Sequence, residues 1–302
     1  KSQIDLVPET YIRKQTLANC ERYITEELKE LEATILGATD KLAAMEYSIF
    51  QQIREYLAQN SARIQESAAY LARIDTYISL ATVAVKNRYV CPDFCTDGRI
   101  EIKNGRHPVV EKFISDSYFV PNDTTLDTDK NRLLLITGPN MAGKSTTLKA
   151  IASAVWLAHA GFPVPASSMV CPMFDGIFTS INLPDSLRDG RSHFYAEVLR
   201  VKEVLEQINK GHHCFVLFDE LFRGTNARDA FEASVAVAEV LKAKAYSRFL
   251  ISTHIIELAR KLDGDDACCF YYLESAIVDD ELICNHKVKP GISESRVGYW
   301  IV

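Results

Sequence analysis

Between an apolar run, Leu133 to Thr137, and a stretch suited to a helix lies Gly138-Pro139-Asn140-Met141-Ala142-Gly143-Lys144-Ser145-Thr146, which fits G-x-x-x-x-G-K-[ST]. Glycines in such a loop let backbone N–H groups converge on phosphate oxygens, and the N-terminus of the following helix adds its dipole. Lys144 is then placed to bridge the β- and γ-phosphates of ATP, and the Ser145 hydroxyl to ligate Mg2+. A plain glycine turn is the competing reading. The apolar strand before the loop and the helix after it disfavour that reading.

A second stretch supplies the carboxylates that such a loop lacks. His213 to Glu220, HCFVLFDE, reads as an apolar strand ending in two acids, the position from which a parallel sheet presents side chains to a phosphate site. Asp219 is expected to hold Mg2+ through its water shell, and Glu220 to orient or deprotonate the attacking water. An acidic pair alone is usually a solvated strand end; downstream of a phosphate loop it points to hydrolysis. His254, in Ser252-Thr253-His254 after the run Arg248 to Ile251, is a candidate to hydrogen-bond the γ-phosphate or that water. Asp189-Gly190-Arg191-Ser192-His193-Phe194 opens a helix whose free N–H groups suit a phosphate presented by another subunit. An ordinary N-cap at Ser192 explains the same residues.

The elements that must hold these residues fall into two textures. From Leu17, apolar positions including Cys20, Ile24, Leu28, Leu31, Ile35, Leu42 and Ile49 recur at steps of three or four, predicting a long amphipathic helix with a restart at Thr25. Asn60-Ser61 is read as a break, with a second helix from Ala62 to Lys86, so that the two form an antiparallel hairpin, either a packed arm or a rigid lever. After Asn87 the pattern changes to short strands such as Arg99 to Lys103, Leu133 to Thr137, Cys214 to Phe218 and Arg248 to Ser252, alternating with helices as in βαβ units. The expected organisation is a helical lever segment over 1–87 and an α/β P-loop domain over 88–302.

Composition narrows the classes. At 302 residues and 47% hydrophobic, the chain can bury a sizeable core. It holds no apolar run of the roughly 18 residues that a membrane span requires. Its start, KSQIDLVPET, has neither an initiator Met nor an apolar leader, so a fragment of a longer protein is expected. The net charge of -6 puts most of any grip on nucleic acid elsewhere. The eight cysteines lack CxxC or His partners at zinc spacing and read as reduced thiols of a cytoplasmic protein.

GPNMAGKST, DELFRGTN and STHIIEL, in this order, resemble the ATPase domain of the MutS family of DNA mismatch-repair proteins. YIRKQTLANCERYITEELKELEATILGATDKLAAMEYSIF resembles the stretch that follows the DNA clamp in that family, and GRIEIKNGRHPVVE with FVPND link the two. The resemblance implies a P-loop fold related to ABC transporter ATPases, acting on ATP with Mg2+ as a homodimer with composite sites. It further implies duplex DNA bound through the full-length protein, a downstream repair partner, and no membrane. It gives Phe119 to the adenine, Gly138 to Thr146 to the phosphates, and Ser192 to the partner subunit's nucleotide. The chain departs from the family where Ala142 replaces a glycine, His193 a threonine, and Asn226-Ala227-Arg228-Asp229-Ala230 a Ser-Thr-aromatic-Asp-Gly run. It is also expected to lack the family's mismatch-reading domains and C-terminal dimerising helices. Three alternatives stand beside this reading. An ABC- or SMC-type ATPase predicts an LSGGQ-like signature, which DSLRDGRSHF does not supply; a non-enzymatic nucleotide-gated interaction module is disfavoured by Lys144 and Glu220; and a MutS-like ATPase outside mismatch repair is a further alternative.

Overall fold

The computed structural model describes residues 6–114, 118–139, 141–181, 193–278 and 281–293, so Asn140 and Ser192 lie outside the described residues. The chain divides into two compact units, Lys1–Thr76 and Tyr77–Val302.

The first unit opens with an antiparallel hairpin of β1 (Ile12–Thr16) and β2 (Glu21–Ile24), pairing Ile12 with Ile24. The helix expected from Leu17 therefore begins later. The Leu17 N–H bonds the Cys20 carbonyl at 2.9 Å to close the turn, and Arg13 meets Glu21 at 2.8 Å across the strands. The three- and four-residue spacing of Leu17, Cys20 and Ile24 was compatible with a helix only because short apolar runs do not distinguish the two periods. Helix α1 (Glu26–Leu36) starts at the expected cap: Thr25 Oγ1 accepts the Leu28 N–H at 3.1 Å, with Glu26 and Glu27 at the positive end of the dipole.

After Gly37, α2 (Ala38–Asn87) runs for 50 residues, about 75 Å at the usual helical rise. The expected hairpin is thus replaced by a single helix through Asn60 and Ser61. Neither residue breaks it, because Asn60 Nδ2 donates to Tyr56 O and Ser61 Oγ to Ala58 O, each at 2.8 Å, satisfying the polar groups on the helix's own carbonyls. No Gly or Pro interrupts the segment.

The second unit continues with β3 (Asp93–Cys95), β4 (Ile100–Gly105), α3 (Pro108–Phe113), β5 (Asn122–Leu126), β6 (Leu133–Thr137), α4 (Lys144–His159), β7 (Ser168–Pro172) and β8 (Gly176–Ser180). It is completed by α5 (His193–Asn209), β9 (Cys214–Asp219), α6 (Ala227–Lys242), β10 (Arg248–Thr253), α7 (Ile256–Leu262), β11 (Cys268–Val278) and β12 (Glu281–Pro290). This is an α/β fold with mixed sheets. The larger sheet has the order β12-β11-β6-β10-β9-β8, parallel except at β12; the smaller is β3-β7-β4-β5.

Both faces of the large sheet are buried, which is why its inner strands read as unbroken apolar runs. Leu134, Ile136, Leu217 and Leu250 face α4 and the small sheet, whereas Leu133, Leu135, Val216, Phe218 and Phe249 face α5, α6 and α7. Arg248, 1% exposed, ties the layers by donating to Gly98 O at 2.7 Å, Ser247 O at 2.8 Å and Ala245 O at 3.0 Å. Among the described residues no helix is long and apolar enough to cross a membrane.

Candidate active site

Parallel strands end at the same edge of a sheet, so β6, β10 and β9, which are neighbours in that order, deliver their C-terminal residues together. The register pairs Thr253 with Thr137 and Ser252 with Asp219. Beyond Thr137 the chain turns sharply through Gly138 at φ 147°, Met141 at 65° and Gly143 at 108°, then enters α4. A Cβ on Gly138 would lie 3.3 Å from the Leu273 carbonyl oxygen, in a backbone conformation that L residues rarely adopt.

Lys144, the first residue of α4, is 4% exposed and folds over the loop, donating to Gly138 O at 2.9 Å and Pro139 O at 3.1 Å. Its Nζ also lies 3.3 Å from Glu220 Oε1. The adjacent Ser145 Oγ donates to Asp219 Oδ1 at 3.0 Å, joining the start of α4 to the end of β9. His254 Nδ1 stands 4.0 Å from Glu220 Oε1, with the imidazole largely open to solvent. A cavity of about 350 Å³ is lined by Pro139, Gly143, Lys144, Ser145, Asp219 and Glu220, among others.

Met141, Gly143 and Thr146 also line a second cavity of about 190 Å³, together with Phe119, Ile114 and His286, so the two cavities share the loop as a common wall. Ala142, fully buried beneath that loop, offers its carbonyl to His286 Nδ1 at 3.0 Å; facing an acceptor, that nitrogen carries the proton. Asn122 holds the same wall, donating to His286 O at 3.0 Å and accepting the Val288 N–H at 2.9 Å.

Lys144, Ser145, Asp219, Glu220 and His254 thus converge, and Phe119 stands at the adjoining cavity. Sequence reading missed Arg223, Ser252 and His286. Arg223 Nη1 is 3.6 Å from Glu220 Oε2 and lines the first cavity. Ser252 was legible beside His254, but its partner depends on strand register. His286 carried no local signal, since it reaches the loop from the antiparallel edge strand β12.

Residues 134–302 match the family model described as MutS domain V, and residues 1–41 match that of MutS family domain IV. The chain belongs to the MutS family. The DNA mismatch repair protein MutS of Acetivibrio thermocellus is 43% identical over 301 residues, covering 99% of this chain and 34% of that protein. The protein of the same name from Caldicellulosiruptor saccharolyticus is 46% identical over 269 residues, 87% of this chain and 31% of that protein. The chain spans about a third of the length of the curated relatives it matches. The MutS domain V match contains every residue lining the first cavity, while Phe119 and α3 precede it. An ABC- or SMC-type reading is not favoured beside the MutS match.

Proposed function

We propose that this chain is the ATP-binding and ATP-hydrolysing region of a MutS-type DNA mismatch-repair protein, a P-loop domain over 88–302 preceded by a helical lever segment over 1–87. The observation that carries the reading is the meeting of Lys144 and Ser145 at the start of α4 with Asp219 and Glu220 at the end of β9, around one cavity.

The residues fit a Mg–nucleotide. Among the described residues no group of three or more His, Cys, Asp or Glu side chains is placed to hold a metal alone. A serine hydroxyl beside one carboxylate is the sparse oxygen set that Mg2+ takes when phosphate and water complete its shell. Bound there, the metal neutralises charge developing on the phosphate oxygens. Gly138 to Thr146 would cradle the phosphates, with Asn140 included on the loop pattern alone, and Lys144 would exchange Glu220 for the β- and γ-phosphates. Phe119 would stack on adenine in the second cavity, which His286 also lines. Glu220 would accept a proton from water as its oxygen attacks the γ-phosphorus and the bond to the β–γ bridging oxygen breaks, releasing ADP and phosphate. His254, next to Glu220, would hydrogen-bond that water or the γ-phosphate.

In this reading the whole protein acts in the cytoplasm as a homodimer on duplex DNA, with Ser192 completing the partner's site and nucleotide state coupled to conformational change and a downstream repair protein. Steady-state phosphate release, with and without duplex DNA, tests the reading. Mg-dependent turnover that vanishes in Lys144→Ala, together with nucleotide affinity, is the expected result; undiminished ATP affinity of that variant by calorimetry would remove the P-loop assignment.

A further inference from the structure

Ser252 is 0% exposed on β10, directly opposite Asp219 on β9. Its Oγ donates to Asp219 Oδ1 and accepts the Glu220 backbone N–H at 3.1 Å. A hydroxyl has one proton, so accepting from Glu220 leaves that proton for Asp219 and gives the chain a single direction: Glu220 N–H to Ser252 O–H to the Asp219 carboxylate. Ser145 Oγ donates to the same Oδ1 at 3.0 Å, so two hydroxyls from different elements pin one carboxylate oxygen. Glu220 also sits at φ 52°, in the left-handed region costly for a residue with a side chain, and its N–H is held there by Ser252 O and Oγ, each at 3.1 Å. The neighbouring Thr253 is otherwise engaged, its Oγ1 accepting the Ile255 N–H at 3.0 Å.

We propose that Ser252 is a positioning residue for both acids, fixing the Asp219 carboxylate that serves Mg2+ and the strained backbone that aims Glu220. The inference rests on the ATPase reading. A serine serving only to fill the core would affect stability when replaced, with no effect on metal dependence. A residue orienting a metal-serving carboxylate through a hydrogen bond changes metal affinity itself, typically by about 10- to 100-fold.

The test titrates Mg2+ against the binding of a fluorescent ATP analogue and against turnover, using the 302-residue chain. In Ser252→Ala the Mg2+ midpoint for analogue binding rises roughly 10-fold, analogue affinity without Mg2+ stays at the wild-type value, and kcat falls with little change in KM at saturating Mg2+. Ser252→Cys, nearly the same size but a weak donor, shifts the midpoint the same way and guards against a folding defect in the first variant. Wild-type Mg2+ midpoints in both variants overturn the proposal, even if their melting temperatures drop. Nucleotide binding by the wild-type chain that ignores Mg2+ overturns the ATPase reading, and the inference with it.

Discussion

Glu220 is constrained at both its side chain and its backbone. Its carboxylate faces Lys144 at 3.3 Å and Arg223 at 3.6 Å, its side chain is only 11% exposed, and its backbone lies at positive φ. A carboxylate held in that place can take a proton from water. Glu220→Gln keeps the shape and removes the base, so ATP binding should persist while turnover falls by about 10²- to 10⁴-fold. Single-turnover phosphate release measures this. Wild-type turnover in the variant would transfer the role to His254, the nearest imidazole.

At the scale of elements, two arginines hold the frame behind the site. Arg106 Nη2 donates to Asn87 O at 3.0 Å and Arg88 O at 2.7 Å, satisfying carbonyls at the C-terminus of α2, while Nη1 meets Glu111 of α3 at 2.6 Å. Arg248, the first residue of β10, ties the turn before that strand to the loop at Gly98 through the carbonyls of Ala245, Ser247 and Gly98. Burial pulls its pKa down to about 10, with Asp127 next in opposing that shift, so the guanidinium remains charged at neutral pH. Arg248→Ala would orphan three backbone carbonyls and leave a cavity between the sheets. The expected loss is about 3 kcal/mol of unfolding free energy, read as a lower urea midpoint. An unchanged midpoint would mean that water replaces the guanidinium without cost.

The whole molecule protects its thiols unevenly. All eight cysteines are free, with Cys20 and Cys91 exposed and Cys171, Cys214 and Cys268 buried. Burial pushes the Cys171 thiol up to about 12, and the Cys214 and Cys268 thiols to about 11, so little thiolate forms near neutral pH. A thiol reagent at pH 8 should therefore modify Cys20 and Cys91 first and reach those three only on unfolding, as peptide mass mapping would show. Early labelling of Cys171 would indicate that the small sheet opens in the folded state.

The sequence by itself determined the pieces whose signals are local. Continuous apolar runs marked β6, β9 and β10; G-x-x-x-x-G-K-S placed the start of α4 at Lys144; and two acids ended the strand that the structure ends at Asp219. Local signals also misled where they were ambiguous. Helical spacing hid the β1–β2 hairpin, and Asn60-Ser61 looked like a stop although both side chains bond within α2. Only the tertiary structure decided which strands are neighbours. That order sets Ser252 against Asp219, brings Lys144 to Glu220, and carries His286 from the edge strand to the loop at Ala142. Such pairings join residues far apart in the chain, and they arise from sheet register and layer packing, which no window of neighbouring residues encodes.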